Sequence, residues 1–355
     1  MKIGSFEINE NSPVFIIAEL SANHNGDLAV ALETIRAAKR AGANCIKLQT
    51  YTAETITIDS NNDDFLLKKG TIWEGKMLFD LYKEAYTPWE WHEELFKVAK
   101  EEGLVCFSSP FDFSAVDFLE KLNVPAYKIA SFEITDIPLI EYVASKGKPI
   151  ILSTGIATVE DIELALEACE RVNNKQVALL KCTSSYPAPI EEANMVMVKD
   201  LKERYGVISG LSDHSIGSTM PIVATCFGAK IIEKHFIIDR SIGGPDASFS
   251  MNEIEFTEMV RAVREAEKGV GEVNYQLTKK QIQGKKFSRS LYIVEDIKKG
   301  ETITNENVRS IRPGFGLHPK HLKAILGTKV LLDVSKGTRL EWRYIEGYNE
   351  LNNIK

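Results

Sequence analysis

Several common features are missing from this 355-residue sequence, and each absence closes a route. No run approaches the ~20 consecutive apolar residues that a membrane-crossing helix needs, and the opening stretch MKIGSFEINENSPV carries acids where a secretory leader would be apolar. No CxxC pair occurs among the five cysteines (Cys45, Cys106, Cys169, Cys182, Cys226), an odd number that cannot all pair within one chain. Reduced thiols in the cytoplasm, with no membrane partner, are the expectation. An excess of positive charge is also missing. With a formal net charge of -7, no nucleic-acid groove is expected, because phosphate neutralisation calls for a basic face. Nor does a GxGxxG follow the first apolar run, where SANHNGD has a single glycine and cannot build a dinucleotide loop.

What remains is a globular composition, 44% hydrophobic and 26% charged, able to bury a substantial core. Up to about residue 270, short β-branched runs alternate with longer stretches of helical period, the mark of repeated βα units. The runs are VFIIAEL, CIKLQT, LVCFSS, AYKIAS, PIILST, VALLKCT, GVISGLS and AKIIEKHF. Amphipathic stretches such as DLAVALETIRAAKRAGA, TPWEWHEELFKVAKEEG and TVEDIELALEACERV lie between them, with Pro88 expected at a first helical position and Thr158 before acids suited to a helix start. Eight such units predict an α/β chain with a (β/α)8 TIM barrel, although an open doubly wound sheet has the same periodicity.

The barrel is expected over residues 1–275, a linker over 276–288 around the charge-rich TKKQIQGKKFSRS, and a small β-rich domain over 289–350. Within the latter, DIKKGETI (296–303) and DVSKGTRL (333–340) share a pattern and suggest an internal half-repeat with two Lys-Gly turns. RSIRPGFGLHP between them reads as an ordered loop.

Polar residues fall at the ends of the runs. They are Glu19; Lys47 and Gln49; Ser108 and Ser109; Lys128, Ser131 and Glu133; Ser153; Lys181, Thr183, Ser184 and Tyr186; Ser212, Asp213 and His214; and Glu233, Lys234 and His235. In a barrel these ends converge on the face where active sites of this fold sit. Singly, a strand-end serine is more often a helix cap and a lysine an ion-pair partner. Together, lysines and hydroxyls suit a phosphate or carboxylate, so an anionic substrate is expected. His214 and His235 end adjacent runs and can reach a common point, with Glu19 expected beside them; two imidazoles with oxygen donors suit a catalytic Mn²⁺, Fe²⁺, Co²⁺ or Zn²⁺. Asp246, in IGGPDASFS, is either a turn residue or a substrate contact.

The motifs IIAELSANHNGD, IKLQTYT, FSSPFD, YKIAS, ILSTGIAT, LLKCTSSYPAPIEEAN, GLSDHS, IIEKHF, GGPDASFS, SRSLYIVEDIKKGE and RSIRPGFGL, in this order, resemble the sialic acid synthase family of phosphoenolpyruvate-dependent nonulosonate synthases. AELSANHNG, IKLQTYTAETITID and FLLKKGTIWEGKMLFDLYKEAYTPWEWH are most similar to its pseudaminic acid branch. The resemblance implies a TIM barrel followed by an antifreeze-like SAF domain, in a domain-swapped homodimer serving cell-surface glycan biosynthesis. It implies condensation of phosphoenolpyruvate with an N-acetylated amino sugar, releasing phosphate. For the pseudaminic branch the sugar is 2,4-diacetamido-2,4,6-trideoxy-altrose; the alternatives are N-acetylneuraminate or legionaminate synthesis from N-acetylmannosamine or a diacetamido relative.

By the same resemblance, Lys47, Ser109, Lys128, Ser131, Ser153, Ser184 and Ser212 bind phosphoenolpyruvate, and His214 and His235 hold a divalent metal, Mn²⁺ first, with Mg²⁺ or Co²⁺ as alternatives. Gln49, Tyr186, Asp246, Phe287 and Arg312 surround the sugar, with Arg312 delivered by the partner. Glu19 and Glu133 are the acid/base candidates, catalytic together with the two histidines. Two rival readings are a Schiff-base aldolase using Lys128 or Lys181 and a non-catalytic glycan-binding protein.

Overall fold

The computed structural model describes residues 1–68 and 70–348. The chain divides into two units, Met1–Gly271 and Glu272–Lys355. The expected end of the second domain at residue 350 lies outside the described residues.

Eight parallel strands of the first unit close on themselves: β1 (Phe15–Glu19), β2 (Cys45–Thr50), β3 (Val105–Pro110), β4 (Tyr127–Ile129), β5 (Ile150–Ser153), β6 (Val177–Cys182), β7 (Ile208–Asp213) and β8 (Ile231–His235). Closure comes where β8 pairs with β1, His235 lying opposite Glu19, and this rules out the open sheet. Helices alternate with the strands: α1 (Leu28–Arg40), α2 (His92–Glu101), α3 (Phe113–Lys121), α4 (Ile137–Ala144), α5 (Val159–Arg171), α6 (Val196–Tyr205), α7 (Thr219–Cys226) and α8 (Glu253–Val270). Their starts are chemically marked. Asp27 accepts from the backbone N–H groups of Ala29 and Val30, and Thr158 forms a reciprocal capping box with Asp161.

The period of two along each strand sorts residues between two environments. Phe15, Ile17, Cys45, Phe107, Ile151 and Ile231 fill the barrel interior, closed below by Ile3 and Ile8. Their alternates, such as Ile16, Ala18, Ile46 and Leu48, pack under the helices. Each such aliphatic side chain contributes ~1.5–3 kcal/mol by leaving water. Two residues beyond the interior layer, the same alternation delivers Glu19, Lys47, Ser109, Lys128, Ser153, Ser212 and Glu233 to the open end. Ser108, Lys181, Asp213 and Lys234 have the opposite parity and belong to the outer layer. There Lys234 donates to Asp213 at 2.5 Å, and Lys181 donates to the Cys182 carbonyl at 2.5 Å.

Two local expectations are corrected. Pro88 does not open a helix; its ψ of 131° is extended, so Trp89–Trp91 form a 3-10 turn and α2 starts at His92. The stretch expected as a linker carries local structure of its own, a short helix at Lys279–Gly284 opened by a capping box between Thr278 and Gln281, then a 3-10 turn at Lys285–Phe287. The loop expected over RSIRPGFGLHP begins late, since Val308–Ile311 is a strand.

In the second unit that strand, β10 (Val308–Ile311), pairs antiparallel with β9 (Ser290–Ile293). The half-repeat is real in three dimensions. Ile297 and Val334, equivalent positions, exchange backbone hydrogen bonds of 2.9 Å in both directions. Asp296 accepts from Lys336 N–H and Asp333 from Lys299 N–H, at 2.7 and 2.8 Å. Gly300 donates to Val330 and Gly337 to Ile293, both at 2.9 Å, so the two halves cap each other about a local twofold. Among the described residues no helix is long and apolar enough to cross a membrane.

Candidate active site

The open end of the barrel is organised by buried charge. Lys128 Nζ lies 2.8 Å from both carboxylate oxygens of Glu233, and Ser212 Oγ donates to the same group at 3.2 Å. Lys47 Nζ is 2.6 Å from Glu19, 3.7 Å from Glu233 and 3.4 Å from Ser109 Oγ. Burial opposes ionisation of Glu233, but Lys128 and Lys47 overcome it and hold the carboxyl down at about 2. Glu19 goes the other way: burial outweighs Lys47 and raises it to about 7. Glu133 is also raised to about 7, chiefly by burial. Its Oε2 and the Ser153 hydroxyl are buried without a hydrogen-bond partner, the state expected of groups waiting for a ligand.

Next to Lys128 is a cradle that only glycine permits. A Cβ on Gly155 would fall 2.1 Å from Ser184 Oγ, 2.7 Å from Ser131 Oγ and 3.1 Å from Cys182 Sγ, while Gly155 N–H donates to Ser131 Oγ at 3.1 Å. Three consecutive strand ends thereby meet, with the hydroxyls of Ser131 and Ser184 brought close to the Gly155 backbone.

The two histidines meet. Their ring centroids are 5.3 Å apart, with Tyr186 at 4.4 Å from His214 and Phe249 at 4.9 Å from His235. His214 Nδ1 is 3.0 Å from the Thr183 carbonyl; a carbonyl only accepts, so Nδ1 carries the proton, and in the neutral ring Nε2 keeps its lone pair. Burial pushes His235 well below its ordinary value, reinforced by His214, and its Nδ1 is buried with no hydrogen-bond partner. A neutral, unpartnered imidazole beside a second one with a free lone pair fits a divalent ion. Among the described residues no group of three His, Cys, Asp or Glu is arranged around one point, so these two rings would be a partial shell completed by oxygen.

Glu19 does not close that shell as expected; one oxygen is ion-paired to Lys47 and the other accepts from Gln49 Nε2 at 2.9 Å. The carboxylate nearest the rings is Asp246, 3.8 Å from His235 Nδ1, held by Ser21 Oγ at 2.5 Å. Burial raises the Asp246 pKa. Its loop is tied to the β1–α1 turn by Asn23, which donates to Phe236 O and Ser250 Oγ. Asp213 neither orients a histidine nor caps α7; its carboxylate takes Lys234 and the Ser215 N–H.

Glu19, Lys47, Gln49, Ser109, Lys128, Ser131, Glu133, Ser153, Ser184, Tyr186, Ser212, His214, His235 and Asp246 therefore all belong to strand ends or mouth loops of the barrel. Phe287 and Arg312 are exposed residues of the second unit. Site reasoning from sequence placed Glu233 among the strand-end polar groups without a role of its own, and passed over Gly155 and Ser21 as site residues. Strand parity singles out the first, and the glycine directly after SerThr in ILSTG the second.

A TIM barrel whose mouth gathers two lysines, four carboxylates, a hydroxyl cradle and a histidine pair is an enzyme scaffold suited to anionic substrates. Comparison with known proteins sharpens the class. The NeuB family profile matches residues 34–275 and the SAF domain profile residues 288–345, and the chain belongs to the NeuB family. It is 47% identical to the pseudaminic acid synthase of Campylobacter jejuni over 96% of this chain and 98% of that one. It is 48% identical to that of Helicobacter pylori over 94% and 98%. The crystal structure of N-acetylneuraminic acid synthetase from Leptospira borgpetersenii, in complex with citrate, is 32% identical and superposes with a TM-score of 0.72, covering 80% of this chain and 94% of that one.

Proposed function

We propose that the chain condenses phosphoenolpyruvate with 2,4-diacetamido-2,4,6-trideoxy-altrose, releasing phosphate and forming pseudaminic acid in the cytoplasm. The observation that carries this reading is near full-length identity to two pseudaminic acid synthases in a chain whose barrel mouth concentrates anion-binding groups.

Lys47 and Lys128, with Ser109, Ser131, Ser153, Ser184 and Ser212, hold the phosphate and carboxylate of phosphoenolpyruvate. Its C3 forms the new bond to C1 of the open-chain sugar, whose carbonyl oxygen takes up a proton. C2 is left electron-poor and accepts water; the C2–O bond to phosphate then breaks. Glu133 is the base for that water, because its Oε2 has no hydrogen-bond partner, whereas Glu19 Oε2 is ion-paired to Lys47 and Glu19 Oε1 accepts from Gln49. Held by His214 and His235, a divalent ion, Mn²⁺ first with Mg²⁺ or Co²⁺ as alternatives, would supply Lewis-acid polarisation of the sugar carbonyl. Gln49, Tyr186 and Asp246 orient the sugar.

The second unit of a partner copy, in a domain-swapped homodimer, brings Arg312 and Phe287 to the sugar. What supports this is apolar surface that a second copy would cover: Tyr275 is 96% exposed, Val273 91% and Phe287 62%. The reaction is tested by phosphate release from phosphoenolpyruvate with three sugars: the diacetamido altrose, N-acetylmannosamine and a diacetamido relative. A kcat/KM at least ~100-fold higher for the first is expected, as polar-contact discrimination allows. Equal or better turnover of N-acetylmannosamine overturns the reading.

A further inference from the structure

Ser21 opens the turn leaving β1 with a backbone φ of +46°. This is the left-handed region, which is unfavourable for any residue other than glycine. Strain of this kind persists where the surrounding structure holds it, and it is informative where the side chain has work to do. Here the side chain is 3% exposed and fully engaged. Gln49 Nε2 donates to its hydroxyl at 2.9 Å, and the hydroxyl donates to Asp246 Oδ2 at 2.5 Å.

The proton directions follow from chemistry alone. A carboxylate only accepts, so Ser21 must donate to Asp246; its lone pair then receives the Gln49 amide. Gln49 Nε2 also donates to Glu19 Oε1 at 2.9 Å, so both amide protons are committed and the amide cannot flip. Its carbonyl oxygen is turned the opposite way, as an acceptor, on a half-buried side chain at the open end of β2. At the other end of the chain of bonds, Ser21 holds the Asp246 oxygen that faces His235. One hydroxyl thus fixes two acceptors on the sugar side of the site.

We propose that Ser21 is a positioning residue for sugar specificity: by locking Gln49 and Asp246 as acceptors, it selects a substrate presenting N–H and O–H donors, the acetamido groups of a diacetamido sugar above all. The inference rests on the reaction proposed above.

The test compares wild type with Ser21→Gly and Ser21→Ala in steady-state kinetics for each substrate, alongside thermal melts. Ser21→Gly relieves the backbone strain while adding unfolded-chain freedom, so its melting temperature should stay near wild type. The KM for the diacetamido sugar should rise about tenfold, the scale of one or two lost hydrogen bonds, with the KM for phosphoenolpyruvate within about twofold. In a Gln49→Ala background the same substitution should have much less effect, because the residues act through one network. An unchanged sugar KM in Ser21→Gly overturns the proposal. So does an equal loss for both substrates accompanied by a lowered melting temperature, which is what a purely structural role produces. Absence of phosphate release by the wild type with any amino sugar would instead overturn the reaction, and the inference with it.

Discussion

Lys128 and Glu233 form a bidentate ion pair, 2.8 Å to each oxygen, with side chains only 1% and 7% exposed. Without substrate, the carboxylate is the anion that compensates a lysine expected to hold phosphoenolpyruvate. Breaking a buried pair by removing one member leaves an uncompensated charge and costs ~3–5 kcal/mol. Glu233→Gln should therefore lower the melting temperature, and phosphoenolpyruvate should restore more stability to the variant than to wild type. Equal ligand-induced shifts in thermal melts would show that Glu233 and the substrate do not share Lys128.

Glu133, raised to about 7 by burial, acts as a base only when ionised. The kcat of the wild type should accordingly rise with pH through about 7. Glu133→Gln should lower kcat by ~10²–10⁴-fold and abolish that inflection. Stopped-time phosphate assays between pH 5.5 and 8.5, as a set of about seven points, read both effects; a profile unchanged in shape would transfer the role to another group.

Gly155→Ala places a methyl where Ser184 and Ser131 hydroxyls now stand. Serine can rotate away, so the fold should survive while the cradle is lost. The expected result is a KM for phosphoenolpyruvate raised by about tenfold or more with little change in the melting temperature. An unaltered KM would place the anion elsewhere in the mouth.

His92 gives the stability a definite pH dependence. Its Nδ1 donates to Pro88 O and its Nε2 accepts from Thr50, which in turn receives Ser108; burial lowers the pKa to about 4. Protonation thus favours the unfolded chain, where the group titrates near 6.5. The stability it contributes is complete above pH 6.5 and is lost as pH falls toward 4. In urea melts the advantage of wild type over His92→Gln should shrink by about 2 kcal/mol between pH 7 and pH 5. Glu19 and Glu133, raised rather than lowered, act with the opposite sign, and the comparison of variants removes their contribution.

His214→Ala should lose Mn²⁺ binding measured calorimetrically, and His235→Ala likewise, with circular dichroism unchanged. Retained stoichiometric, tight binding in either variant would move the metal away from the pair.

How much of this was legible in one dimension varies by feature. The eight βα units were readable because both-face burial demands continuous apolar strands, and the convergence of Lys47, Lys128, Ser153 and Ser212 followed from barrel closure. The distinction between Glu233 and its neighbour Lys234 was available in the alternation of β8, yet strand-end position alone ranked them together. The late start of the loop after Ile311 has a different reason: Val308–Ile311 becomes a strand by pairing with Ser290–Ile293, a partner that its own residues do not show.

Periodicity and residue type were enough for the barrel, for the small β-rich second unit with its duplicated Asp-x-x-Lys-Gly turn, and for a mouth furnished for an anion and a metal. Those properties are local or repeat with the chain. Which charges meet is not: Lys47 with Glu19, Lys128 with Glu233, Ser21 with Asp246, and the two histidines over Tyr186 are brought together by strand register and the loops that follow, across separations from 21 residues between the histidines to more than 200 between Ser21 and Asp246. Only the closed barrel, which sets β8 against β1, decides that Glu19 serves the lysine and leaves Asp246 beside the imidazole.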